Sequence, residues 1–187
     1  MIETGELRRG STIEIDGTLY QVIEVDHIKM GRGSAQVRMK LRDIRAGHIV
    51  DKSVQAGTRF TRARVERQPA QYLYSEGDLY YFMNTETFDQ FPVNGSRVEE
   101  ALPYLKENLT CNLLMYGEEA VGIELPAAVE LAVVQTDPGL RGDTAQGGTK
   151  SASLETGHTV NVPLFINTGD VLKIDTRTGQ YLERASK

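Results

Sequence analysis

The 187-residue chain is poor in the groups that most small-molecule chemistry needs. Its one cysteine, Cys111, excludes an intrachain disulfide and a cysteine-built zinc site, and between Leu109 and Leu113 it reads as a small buried apolar residue. The three histidines, His27, His48 and His158, have no metal-ligand spacing. His27 and His48 could approach each other within the first third of the chain, but strand histidines are far more often surface or packing residues than ligands. No Ser/His/Asp set, P-loop or Rossmann glycine pattern is present, so neither an enzyme nor a metal or cofactor is expected. No apolar run approaches the ~20 residues of a membrane span, and Met1 to Glu6 hold no basic segment leading into an apolar one. A cytoplasmic protein with no membrane partner is the expectation.

What is present is charge, unevenly spread. Hydrophobic content of 40% with 25% charged residues is ordinary for a soluble globular protein. The net charge of -5 divides into +4 over residues 1–64, -8 over 65–127 and -1 over 128–187. A basic first third suits a polyanion, whereas the acidic middle would be repelled by one. Contact with nucleic acid is therefore expected on particular faces only.

Three strand-rich units follow from the punctuation. Residues 1–64 read as short strands at Ser11 to Ile15, Leu19 to Val25, Ala35 to Leu41, His48 to Val54 and Thr58 to Val65, at the spacing of a small all-β barrel. Residues 65–127 give strands at Gln71 to Tyr74, Leu79 to Met83, Phe88 to Pro92, Thr110 to Tyr116 and Ala120 to Leu125. Between the third and fourth, Ser96 and Glu99 have the form of a capping box, and Val98, Ala101, Leu102 and Leu105 share one helical face. A helix in that position is the arrangement of an oligonucleotide-binding (OB) barrel. Tyr72, Tyr74, Tyr80 and Tyr81 are expected to pack rather than to stack on bases, because the surrounding charge is negative. Residues 128–187 give strands at Val129 to Val134, Ala152 to Leu154, Thr159 to Ile166, Val171 to Asp175 and Gln180 to Leu182. The first two are separated by a connection far longer than a hairpin needs, running through Arg141, Gly142, Asp143 and Thr144.

The first unit carries the most pointed feature, Lys29-Met30-Gly31-Arg32-Gly33-Ser34, between two strand-like runs. Gly31 and Gly33 lack a Cβ, so the backbone can turn tightly and approach another molecule while Arg32 projects from the tip. Taken alone, such a tip is most often only a turn with its middle residue solvated. Beyond it Val37, Met39 and Leu41 alternate with Arg38, Lys40 and Arg42, a half-buried strand with a basic outer face. Those three cations are candidate phosphate contacts, a solvated face being the plain alternative.

These residues together resemble the bacterial elongation factor P family over the whole chain. The resemblance is carried by Lys150-x-Ala152, Gly157, Val160-x-Val162-Pro163, Ile166 and Gly169. Arg141-Gly142-Asp143-Thr144 before that run, Asp175-Thr176-Arg177-Thr178-Gly179 after it and the hairpin tip add to it. It implies three small β-barrels in an L shape, an SH3-like (KOW-like) barrel over 1–64 and OB barrels over 65–127 and 128–187. It also implies a monomer that binds the 70S ribosome and its RNA between the peptidyl and exit tRNA sites. There Arg32 would meet the CCA end of the peptidyl-tRNA, and Arg141 to Thr144 would lie near the exit-site codon of the mRNA. The implied role is relief of stalling at consecutive prolines. A divergent paralogue or a generic OB-fold RNA-binding protein is the alternative. Many relatives carry a lysine at the tip that receives a β-lysyl group, which Arg32 cannot accept. Others carry a rhamnosylated arginine in a Ser-Gly-Arg-Asn-like setting unlike Met30-Gly31-Arg32-Gly33, where Met30 also replaces a common proline. Arg32 is therefore expected to work unmodified, although it stays the candidate modification site.

Overall fold

The computed structural model describes residues 1–28, 35–139 and 148–185. Those residues form an all-β, multi-domain protein with three antiparallel sheets. The first contains β1 (Ile2–Glu3), β2 (Thr12–Ile15), β3 (Thr18–Ile28), β4 (Gln36–Asp43), β5 (Ile49–Gln55) and β6 (Arg59–Arg62), in the order β1-β6-β2-β3-β4-β5. β1 has only two residues, too few for any periodicity to announce it. Its register of Ile2 opposite Phe60 nevertheless adds an apolar pair to the edge of the core.

The second sheet contains β7 (Glu66–Glu76), β8 (Leu79–Asn84), β9 (Gln90–Asn94), β10 (Thr110–Tyr116) and β11 (Glu119–Glu124). The third contains β12 (Ala128–Thr136), β13 (Thr149–Leu154), β14 (Thr159–Pro163), β15 (Val171–Asp175) and β16 (Tyr181–Arg184). Counted within its own unit, each of these two sheets has the strand order 3-2-1-4-5. In each unit the two edge strands also approach one another, β9 against β11 and β14 against β16. That approach curls each sheet toward a barrel, the arrangement that limits exposed edges able to template aggregation.

β7 begins five residues earlier than its sequence suggests because it accommodates Pro69. The carbonyl of Pro69 accepts from Thr85, just past the end of β8, so the missing proline N–H falls where no ladder partner is waiting. The helix expected from Ser96 is also different. Asn94, not Ser96, is its N-cap, with Oδ1 accepting from the Ser96 amide at 3.1 Å. The Ser96 hydroxyl donates to the same oxygen at 2.9 Å, so it is spent before it can cap a turn of its own. A single α turn, α1 (Gly95–Val98), passes into a 3-10 helix over Glu99–Tyr104 that contains Pro103. Val98 and Ala101 are still buried, as their shared face requires.

Each sheet has its own apolar core, and the cores touch. Leu19 and Ala63 of the first unit cluster with Val121 of the second. Tyr104 and Leu109 of the second unit join the core of the third with Leu131, Val162 and Ile166. At this second junction Gly179 is confined by the Tyr104 hydroxyl, which an added Cβ would meet at 2.9 Å. The resemblance-bearing residues Ala152, Val160, Val162 and Ile166 are all core positions. Much of what makes that stretch recognisable is therefore packing.

Candidate nucleic-acid interface

The β3–β4 hairpin is the longest antiparallel ribbon of the first unit. Its register runs from Tyr20 opposite Asp43 to Ile28 opposite Gln36, with a bulge between Val22 and Glu24. On one face of β4, Val37, Met39 and Leu41 are fully buried. β5 pairs along its other edge, from Arg42 opposite Ile49 to Gln36 opposite Gln55. The stem is thus fixed on both edges of β4 up to the point where the tip begins. The tip residues Lys29, Met30, Gly31, Arg32, Gly33 and Ser34 lie outside the described residues, as do Arg141, Gly142, Asp143 and Thr144.

The outer face of β4 is less basic than its own sequence implies. Arg38 stands opposite Asp26 of β3, and Lys40 stands between Glu24 of β3 and Asp51 of β5. The Arg38 guanidinium is 3.9 Å from the Asp51 carboxylate, both being mostly exposed. Directly opposed unlike charges stabilise the sheet modestly, and they also neutralise the strip. Arg42 is committed elsewhere: its Nη1 and Nη2 donate to Glu100 at 2.9 and 2.8 Å, across the junction with the second unit. Arg38 and Lys40 remain the outward cations of this strand. His27 and His48 do not approach each other, since His27 stands opposite Val37 and Ile49 opposite Arg42, about 17 Å further along β4.

The long β12–β13 connection is held where it enters and leaves. Lys150 Nζ donates to the Asp137 carbonyl at 2.6 Å, and the Thr136 hydroxyl donates to the Ser151 carbonyl at 2.8 Å. An added Cβ at Gly139 would sit 2.6 Å from the Leu164 carbonyl oxygen, so only glycine lets the chain pass this close to the segment after β14. After β15, Asp175 Oδ1 accepts from the amides of Arg177 and Thr178, forming the Asx turn that Gly179 completes. Those bonds, with the Arg177 charge, hold the Asp175 carboxyl below its usual range.

The tyrosines divide. Tyr72 is buried against Phe82 with Tyr80 beside it, whereas Tyr74 and Tyr81 stack with centroids 4.8 Å apart and Tyr74 is 45% exposed. Cys111 is buried, and desolvation pushes its thiol up to about 12, which leaves it unreactive at neutral pH. Among the described residues no group of His, Cys, Asp and Glu is placed to hold a metal ion, and no helix is long and apolar enough to cross a membrane.

What the sequence did not disclose is the set of arginines at the first junction. Arg45 bonds Glu119 at 2.9 Å, Arg97 approaches the same carboxylate at 3.1 Å, and Arg67 pairs with Glu124 at 2.7 Å. The available signal was the scarcity of cations in the acidic middle third, where each one has many possible partners.

Comparison with known proteins covers the same three units. Family models match residues 3–60 (Elongation factor P KOW-like domain), 65–123 (Elongation factor P OB domain) and 129–184 (Elongation factor P, C-terminal). An elongation factor P of Moorella thermoacetica is 55% identical over 185 residues, covering 99% of this chain and 100% of the relative. One from a Thermoanaerobacter species is 50% identical, covering 98% and 100%. Among solved structures, a eukaryotic translation initiation factor 5A from Methanococcus jannaschii superposes with a TM-score of 0.52 at 20% identity, over 67% of this chain and 90% of that one, a likeness of fold.

Proposed function

The chain belongs to the elongation factor P family, with a translation elongation factor's role, and from that premise we propose that it binds between the peptidyl and exit tRNA sites of the 70S ribosome. There it braces the CCA end of the peptidyl-tRNA with Arg32. The observation that carries this reading is the match over the whole chain, in which all three units align with one family. The units 1–64, 65–127 and 128–187 act as its domains.

The physical logic needs no catalytic residue. A proline ring fixes φ and crowds the amide, so a prolyl peptidyl-tRNA occupies geometries unsuited to attack. Restricting the tRNA end before the chemical step removes orientational freedom, which is worth several kcal/mol of a barrier. The ribosome supplies the chemistry and this chain supplies the constraint. Arg32 offers a planar fork of donors to phosphates and 2′-hydroxyls, without modification. The doubly paired β3–β4 stem is consistent with a brace, because a finger on a loose stem would lose in entropy what it contributes in contact. Arg38 and Lys40 contribute phosphate contacts along that stem, and the loop through Arg141 to Thr144 meets the ribosome near the exit-site codon.

Translation of a triple-proline reporter with and without the protein tests this. Restored full-length yield is expected, while a control reporter without prolines should be unaffected. Unchanged yield with RNA binding retained would instead point to a generic OB-fold RNA-binding protein. Intact mass of the native protein tests the unmodified state of Arg32, which a rhamnose-sized increment on the tip peptide would contradict.

A further inference from the structure

A cavity of about 450 Å³ opens where the first and second units meet, lined by Arg42 of β4, Arg62 of β6, Arg67 of β7 and Arg97 of α1. Residues 65–127 hold only three cations against eleven carboxylates, and two of those three, Arg67 and Arg97, are turned to this one cavity. Grouping like charges costs free energy unless counter-charges hold them, and three do. Glu100 takes Arg42 through Nη1 and Nη2, Glu124 takes Arg67 through Nε and Nη2, and Glu119 takes Arg97 through Nη2 while sharing itself with Arg45. Four guanidinium groups thus share three carboxylates, and Arg62 lines the cavity as a fifth cation.

The pairing leaves donors unspent. Arg42 Nε is buried without an acceptor, a costly arrangement for a charged group. Among the described residues, Arg67 Nη1 and Arg97 Nε have no partner, and Arg62 has no carboxylate within 4.0 Å. We propose that this cavity binds a phosphate group, with Arg62 and the free donors of Arg67 and Arg97 as its ligands. The carboxylates fix the guanidinium groups of Arg42, Arg67 and Arg97, with Glu124 itself part of the cavity wall, and such pairing preorganises donors for a tetrahedral anion. The cavity is several times the size of one phosphate, so it admits a phosphodiester of an RNA strand as well as a free ion. This site needs neither the hairpin tip nor the ribosome, and it stands apart from the reading above.

The test is a titration of the full chain, followed through arginine Nε–Hε and backbone amide resonances, with inorganic phosphate and with a short RNA duplex as separate probes. Saturable shifts are expected at Arg62, Arg67, Arg97 and the neighbouring Thr12 amide with at least one probe. Shifts with the duplex alone assign the site to a backbone phosphate, and shifts with inorganic phosphate assign it to the free ion as well. Arg62→Gln, which breaks no side-chain hydrogen bond or ion pair among the described residues, should weaken that binding about tenfold. Arg177→Gln in the third unit should leave the shifts at these positions unchanged. No saturable shift with either probe, or equal affinity of Arg62→Gln and the parent, would overturn the proposal.

Discussion

Arg42 and Glu100, 58 residues apart in sequence, meet through a bidentate pair at 2.9 and 2.8 Å that ties the central hairpin strand of the first unit to the 3-10 helix of the second. A residue whose alternation places it on an outward basic face is thereby an inter-unit strut. The apolar contact of Leu19 and Ala63 with Val121 lies in the same junction and holds it by burial.

Because Arg42 is 34% and Glu100 77% exposed, their pair is partly screened. A double-mutant cycle of Arg42→Ala and Glu100→Ala in urea unfolding should return a coupling of about 0.2–1 kcal/mol. A coupling of several kcal/mol would mean that the junction is drier than its exposure indicates.

The junction should loosen in acid. The hydrogen bond from Arg45, followed by its charge and that of Arg97, holds the Glu119 carboxyl below its usual value of 4.5, against an opposing effect of desolvation. Arg67 does the same for Glu124. A carboxylate with a depressed folded-state pKa stabilises fully above its unfolded value, and that contribution disappears as pH falls through the folded value. Glu119→Gln should therefore be less stable than the parent at pH 7, with the difference shrinking below pH 4.5. A difference independent of pH would contradict the assignment.

Gly139→Ala should destabilise the third unit by about 1–3 kcal/mol, since the new methyl meets the Leu164 carbonyl at 2.6 Å and backbone must shift. Gly5→Ala, with nothing within 4 Å, serves as the control. Equal unfolding midpoints for the two variants would show that the β12–β13 entrance is not pinned.

Phe88 is a bulky residue held at φ 64° with 68% of its surface exposed, so its strain is not offset by burial. The turn is enforced by Asn84, whose Oδ1 accepts from Glu86 and Thr87 at 2.8 and 3.1 Å. Phe88→Asn should raise stability by about 0.5–1 kcal/mol, because asparagine tolerates the left-handed region. A loss of stability in thermal unfolding would mean that the ring contributes packing after all.

The strands were legible where alternation was clean, as at Val37, Met39 and Leu41, all fully buried. The resemblance was legible because its residues are core valines and turn glycines, which tolerate few substitutes. Pairings across the sheet were not. Nothing local tells that Glu24, Asp26 and Asp51 flank Arg38 and Lys40, since register is a property of two strands and not of one. Nor does anything local choose the helix cap, because Asn94 and Ser96 are both good caps and only the end of β9 decides between them.

Substitution of Arg32, the proposed brace for another molecule's reaction, is the most direct test. In a reconstituted translation reaction, Arg32→Ala should fail to restore full-length product from a triple-proline reporter while unfolding at the same temperature as the parent. Rescue by Arg32→Ala equal to that of the parent would contradict that role.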